Sequence, residues 1–165
     1  MKIELIQPFI NAADAVLAEM LQSPAEVRDV TMAVEVYRRR GVAASMTFRG
    51  DIEGYVILDL ETKTALEVAR ALAGEEVHPL EQAASETVCE LANMVVGNAV
   101  TLLNDRGYRF KVSPPEVHTA DEGYACSSQR EALVMCFQTS SGRITLNIAL
   151  DYSRQRTSLV SEELG

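Results

Sequence analysis

Residues 79–106 read PLEQAASETVCELANMVVGNAVTLLNDR, and the spacing of apolar residues in this stretch predicts the longest helix of the chain. Pro79 suits the first turn of such a helix, because the N–H that proline lacks is not needed there. Gly107 follows the stretch directly and favours a helix stop, since glycine readily adopts the left-handed backbone conformation found past helix ends.

A helical wheel divides this helix into two faces, with successive residues about 100° apart. Apolar residues form one stripe, which we expect to pack against a sheet: Ala84, Val88, Leu91, Val95, Ala99 and Leu102. The opposite stripe consists of Glu86, Glu90, Asn93, Gly97, Thr101 and Asn104. We expect this second stripe to face water or a partner molecule.

Segments outside the long helix predict two further helices. Apolar residues from Ile6 to Leu21 recur at helical spacing, and Ser23-Pro24 ends that helix because the residue before proline avoids the helical region. Thr62 to Ala73 predicts the other helix, whose start Thr62 can cap.

Five runs rich in β-branched and aromatic residues predict strands: Thr31–Tyr37, Val42–Phe48, Tyr55–Leu58, Ala132–Phe137 and Ile144–Leu150. Turn residues at Gly41 and at 50–54 suggest that the first three form an antiparallel meander. The last two runs form a hairpin through 140–142. Because strands occur in groups, we expect one α+β domain, a largely antiparallel sheet packed against helices, over residues 1–152 with a polar tail over 153–165.

Charge and composition exclude several classes of protein. The chain has 165 residues and a net charge of −9, so it lacks the cationic face that nucleic-acid binding requires. Arg38, Arg39 and Arg40 form one short basic run, which we interpret as a solvated turn. The N-terminal residues 1–5 lack a signal-peptide pattern, and no apolar stretch reaches the ~20 residues that span a bilayer. We therefore expect a cytoplasmic protein with no membrane interaction.

Residues that often bind metals or cofactors are scattered. The three cysteines are odd in number and contain no CxxC pair, so we expect free thiols and no disulfide framework. His78 and His118 have no ligand partners at metal-binding spacing. No glycine-rich phosphate loop occurs. The sequence therefore predicts neither a metal nor a cofactor of its own.

Two residues of the polar stripe weaken the helix where no core packing requires them. Asn93 is a mediocre helix former, and Gly97 costs about 1 kcal/mol relative to alanine. One interpretation is an ordinary solvated face with an incidental asparagine and glycine. The other is a binding face, on which Glu90 and Asn93 form a fixed polar pair and Gly97 leaves room for another molecule.

Glu90-Leu91-Ala92-Asn93-Met94, followed by Gly97 and later by Ser113-Pro114-Pro115, resembles the active-site motif of the CheC/CheX/FliY family of chemotaxis phosphatases. The turn at 50–54 and Thr64-Ala65-Leu66 resemble its CheX branch. The similarity extends from the first helix to about residue 152.

The chain departs from the family pattern at two points and carries one full motif. Glu86 stands where the family more often has Asp or Ser, and the spacing from Asn93 to Pro115 is shorter by one. CheC-like members resemble a tandem with two active helices, whereas CheX-like members carry one. The first helix offers only Glu19 and Gln22, which we interpret as surface residues.

The resemblance implies hydrolysis of the aspartyl phosphate on a CheY-like response regulator, whose receiver domain brings its own Mg²⁺. Asn93 would orient the attacking water, and Glu90 would accept from a lysine of the receiver. Glu86, Gly97 and Thr101 would contact the partner. The alternative is a module of the same fold that binds a receiver or a flagellar switch component without catalysis. CheX relatives also imply a homodimer in which strands of two subunits meet.

Overall fold

The computed structural model describes residues 2–33, 40–73, 80–119 and 131–153. The helices are α1 (Ile3–Leu21), α2 (Thr62–Ala73) and α3 (Leu80–Asp105). The strands are β1 (Glu26–Ala33), β2 (Val42–Gly50), β3 (Ile52–Leu60), β4 (Phe110–Val112), β5 (Glu116–His118), β6 (Ala132–Thr139) and β7 (Gly142–Tyr152). All paired strands are antiparallel. The expected α+β class, with helices on a largely antiparallel sheet, is confirmed.

The sheet has the strand order β1-β6-β7-β3-β2-β4, with β5 also paired to β2. The two predicted hairpins, β2–β3 and β6–β7, are present. The three-stranded meander is wrong, because β1 pairs with β6 at one edge of the sheet and not with β2. Three strands therefore separate β1 from β2.

Gly41, expected as a turn residue between the first two strands, has a packing role at the start of β2. The backbone N–H groups of Arg40 and Gly41 donate to the buried carboxylate of Asp59 at 2.6 and 3.0 Å, which anchors the start of β2 to β3. A Cβ at Gly41 would overlap the carbonyl of Leu60. The glycine thus permits close packing between neighbouring strands and does not mark a hairpin.

The helices cover one face of the sheet. Residues of α1, α2 and α3 share one large buried cluster with alternate residues of the central strands, including Val56, Leu58, Leu146 and Ile148. The intervening residues point to the other face, where Tyr55, Ile57 and Ala149 belong to a smaller cluster. This alternation follows from the two-residue period of a strand.

The buried stripe of α3 agrees with the helical wheel except at its C-terminal end. Leu102, expected in the core, is 40% exposed, whereas Leu103 is fully buried. The end of α3 packs beside the start of α1, where Arg106 donates to the carbonyl of Glu4 at 3.4 Å. Leu103 lies on the same flank of α3 as Ala92 and Val96, which are also buried, so the buried face extends further on that side than the predicted stripe. Gly107 then ends the helix in the left-handed conformation, as predicted.

Within the described residues, none of the helices has the length and apolar character that a membrane span requires. Several predictions fall outside those residues: Arg38, Arg39, His78, Pro79 and Cys126, together with residues 154–165 of the expected tail.

Candidate active site

The polar stripe of α3 is exposed along its whole length. Glu86, Glu90, Asn93, Gly97, Thr101 and Asn104 are all solvent-accessible. On the opposite side of the helix, Val88, Leu91 and Val95 are at most 1% exposed. The core contacts therefore fix the rotation of α3 about its axis and hold Glu90 and Asn93 outward, one turn apart.

Glu90 and Asn93 are available to a partner. Among the described residues, neither side chain forms a hydrogen bond or an ion pair. A carboxylate can only accept hydrogen bonds, whereas an amide both accepts and donates. The pair therefore presents complementary functions at one point of a rigid helix.

Two other stripe residues are engaged within α3. Glu86 accepts from the Nε2 of Gln82 at 2.8 Å, which holds its carboxylate one turn before Glu90. The hydroxyl of Thr101 donates to the carbonyl of Gly97 at 3.0 Å. Such back-bonding leaves the hydroxyl oxygen able to accept from a partner, while its proton is already used.

Gly97 has no packing role against the described residues. A Cβ built at this position would meet nothing within 4 Å, and the backbone there is ordinary helix. Glycine in such a position destabilises the helix by about 1 kcal/mol relative to alanine. No packing contact with the described residues offsets this loss. The space beside Gly97 is therefore an open approach to the backbone of α3.

An open depression of about 550 Å³ surrounds the pair. Its lining comprises Ser85, Glu86, Cys89, Glu90, Asn93 and Met94 of α3 and Val117 of β5. The contribution of β5 was not predicted from the sequence, because three residues after two prolines gave too short a strand signal. Ser113 bonds to the backbone of Thr47 at the end of β4, and the strand resumes as β5 after the prolines.

Cys89 in the lining of the depression is not activated as a nucleophile. Burial raises the pKa of the Cys89 thiol, so the thiol stays protonated near neutral pH and is a poor nucleophile. His118 lies on the other face of β5, where its Nε2 is 3.0 Å from the hydroxyl of Ser45. In the described part of the chain, no group of three or more His, Cys, Asp or Glu residues is placed to hold a metal ion. The exposed carboxylate of Glu90 and the amide of Asn93 can supply positioning and hydrogen bonds.

The second Glu-x-x-amide pair has a different setting. Glu19 lies in the last turn of α1, and Gln22 follows the helix in the left-handed conformation at φ 51°. The two side chains therefore do not share one helix face. A third pair, Glu4 and Gln7, lies on the exposed side of the first turns of α1, but both side chains are engaged: Tyr152 donates to Glu4 and Gln7 donates to Asn11, each at 2.8 Å. Among the described residues, Glu90 and Asn93 form the exposed pair on one helix face that has no such bonds.

Comparisons with known protein families and with curated proteins agree on one family. A family model described as chemotaxis phosphatase CheX matches residues 42–138, more than half of the chain. The CheY-P phosphatase CheX of Thermotoga maritima is 35% identical over 69 residues, which are 41% of this chain and 44% of that relative's length.

Solved structures agree over a longer range. A CheX–CheY–BeF₃–Mg²⁺ complex from Borrelia burgdorferi contains a chain that is 29% identical, with a TM-score of 0.74, and the match covers 90% of this chain and 99% of that one. The chemotaxis protein CheX from Desulfovibrio desulfuricans shares the fold at 22% identity and a TM-score of 0.76, over 91% and 99% of the two chains. The chain therefore belongs to the CheX family of chemotaxis phosphatases.

Proposed function

We propose that this chain is a phosphatase that hydrolyses the aspartyl phosphate of a CheY-like response regulator. The observation that carries the proposal is the exposed, unengaged pair Glu90 and Asn93 on the rigid outer face of α3, in a chain of the CheX family. A relative named CheY-P phosphatase and a CheX–CheY complex support CheY as the partner class.

Asn93 acts on the water in this mechanism. An acyl phosphate is already reactive, so the helper protein gains most by holding a water in line with the phosphorus. The amide oxygen of Asn93 accepts from that water and its NH₂ group can donate. An amide does not titrate, so the same geometry is available over a wide pH range.

Glu90 acts on the receiver. Its carboxylate accepts from the lysine of the receiver's active site, and this charge-assisted bond fixes how deeply α3 inserts. Glu86 and Thr101 contact the receiver on either side, and Gly97 lets its loops approach the helix. The receiver supplies Mg²⁺, and the chain uses no cofactor of its own. We place the reaction in the cytoplasm.

Alanine variants of the pair test this mechanism against a CheY receiver phosphorylated with acetyl phosphate. Asn93→Ala should lower the turnover number roughly a hundredfold, because the water loses its orientation, while receiver binding persists. Glu90→Ala should weaken binding as well as turnover. Asn104→Ala is the matched control, since it removes the same side chain from the same exposed stripe three turns further on.

The same measurements distinguish the alternative. If the wild-type chain binds the phosphorylated receiver without accelerating phosphate loss, the chain is a non-catalytic receiver-binding or flagellar-switch module. If hydrolysis is normal in both alanine variants, Glu90 and Asn93 do not carry the reaction.

We also propose that the chain forms a homodimer through β1. Among the described strands, β1 pairs only with β6, so its outer edge is open. Val27, Val30 and Met32 on this strand are 49–52% exposed. A second edge strand would satisfy the open backbone groups and cover these side chains. Val30→Lys should convert the dimer to a monomer in sedimentation velocity, and a wild-type monomer at tens of micromolar would contradict the proposal.

A further inference from the structure

The depression beside Glu90 and Asn93 has an apolar part that the phosphatase chemistry does not use. Met94 and Val117 are partly buried and pack on the main core while still lining the open space. The protonated thiol of Cys89 adds a third weakly polar surface. These three residues, here called the apolar wall, adjoin the polar pair directly.

The register of β5 explains why a single apolar side chain of this strand faces α3. Val117 pairs with Ala44, which points to the helix-covered face of the sheet. Glu116 and His118 alternate to the other face, and His118 bonds there to Ser45. The wall therefore forms between a helix and a strand that are far apart in sequence.

The energetics of docking indicate that the wall contributes to the affinity for the receiver. Inserting a carboxylate and an amide into a polar receiver pocket exchanges bonds with water for bonds with protein, so the net gain in affinity is small. Most of the affinity of an interface comes from a few well-packed, fully desolvated residues near its centre. The wall is apolar surface that lines the same depression as Glu90 and Asn93.

We propose that the apolar wall receives an apolar side chain of the phosphorylated receiver, from the receiver surface next to its phosphorylation site, and so determines which receivers dock. This inference rests on the proposed function. The occupant follows from continuity, because Glu90 and Asn93 line both the wall's depression and the docking face. When the pair enters the receiver pocket, the receiver surface beside that pocket must cover the depression.

Two polar substitutions of similar size test the wall. Val117→Thr keeps the branched shape and the strand preference, and Met94→Gln keeps the length and the helix preference. Each places an unsatisfied polar group opposite the receiver's apolar side chain. We expect KM for CheY phosphorylated with acetyl phosphate, and Kd for BeF₃-activated CheY, to rise about fivefold to tenfold. The turnover number should change less than twofold.

Val134→Thr is the matched control. Val134 is also a partly buried strand valine, but it packs against the small cluster on the opposite face of the sheet. Its substitution should leave KM and Kd within twofold of wild type. A KM effect in both Val117 and Val134 variants would point to general loosening of the fold and would overturn the inference.

A measurement on the wild-type chain needs no substitution. BeF₃-activated CheY should slow modification of Cys89 by N-ethylmaleimide about tenfold, as read by mass spectrometry, because a docked side chain covers the thiol. Unchanged Cys89 labelling together with unchanged KM in both wall variants would overturn the inference. The proposed function would still stand if Asn93→Ala lost turnover. If the wild-type chain neither bound nor dephosphorylated CheY, both proposals would fall.

Discussion

α1 and α3 each contain a glutamate followed three residues later by an amide, yet the two helices place these side chains differently. In α3 the pair Glu90 and Asn93 lies in mid-helix, with turns of regular helix on both sides. In α1, Glu19 lies in the last turn, and Gln22 follows the helix in a left-handed conformation. Of these two pairs, the one in α3 holds both groups on one exposed face.

The surroundings of the two pairs differ, as their backbone conformations do. Beside the α3 pair lie Gly97, with open space around it, and a depression bounded by Val117 of a different element. Sequence spacing sets the direction of a side chain only while the helix continues. A pair of polar residues becomes a candidate site when the fold also leaves both side chains exposed to a partner and packs the opposite face of their helix in the core.

The first and largest expected effect concerns the core packing that holds α3 in place. Leu103 is fully buried where α3 meets α1, and Leu102 beside it is 40% exposed. Leu103→Ala should lower the free energy of unfolding by about 2–4 kcal/mol, because it leaves a cavity. Leu102→Ala should cost less than about 1 kcal/mol. Urea denaturation measures both values, and equal losses would contradict the assigned register of α3.

A charge reversal in each pair compares the two helices directly. Glu90→Lys should reduce kcat/KM for phosphorylated CheY about thirtyfold or more, since it opposes the receiver's lysine with a like charge. Glu19→Lys changes the net charge of the chain equally and should alter kcat/KM less than twofold. If both reversals had the same effect, general electrostatic steering would explain the result and the two pairs would be equivalent.

The smallest expected effect concerns Gly97, and it separates stability from docking. Gly97→Ala should raise the free energy of unfolding by about 0.5–1 kcal/mol, because alanine favours helix and its Cβ would meet no atom of the described residues within 4 Å. It should also raise KM for phosphorylated CheY about threefold to fivefold, by narrowing the approach to α3. Asn98→Ala, exposed on the same helix, is the control: it should stabilise the chain without changing KM.

The sequence predicted those parts of the fold that depend on local periodicity. Both faces of α3, the stop at Gly107 and the two hairpins follow from spacing and turn residues. The position of β1 could not be predicted, because pairing with β6 joins residues 99 to 112 positions apart. Gly41 was wrongly interpreted as a turn residue, because the sequence alone does not distinguish a glycine that permits close strand packing from a glycine in a turn.

The candidate site was predictable to the same extent. Exposure of Glu90, Asn93 and Gly97 follows from the helical wheel, and the resemblance to the CheX family supplied the reaction. Met94 and Val117 could not be recognised as one surface, because β5 approaches α3 only through the tertiary fold. Leu102 was assigned to the core because it shares its position on the wheel with Ala84, whereas the buried face extends on the other flank, to Ala92, Val96 and Leu103.

The central claim is that Asn93 contributes to the chemical step more than to binding. Single-turnover loss of phosphate from labelled CheY, with the chain in saturating excess, measures this step in wild type and Asn93→Ala. A parallel titration with BeF₃-activated CheY gives the binding constant of each. The account predicts a rate roughly a hundredfold lower in the variant, with Kd within about threefold of wild type. An unchanged single-turnover rate, or a loss explained entirely by weaker binding, would contradict it.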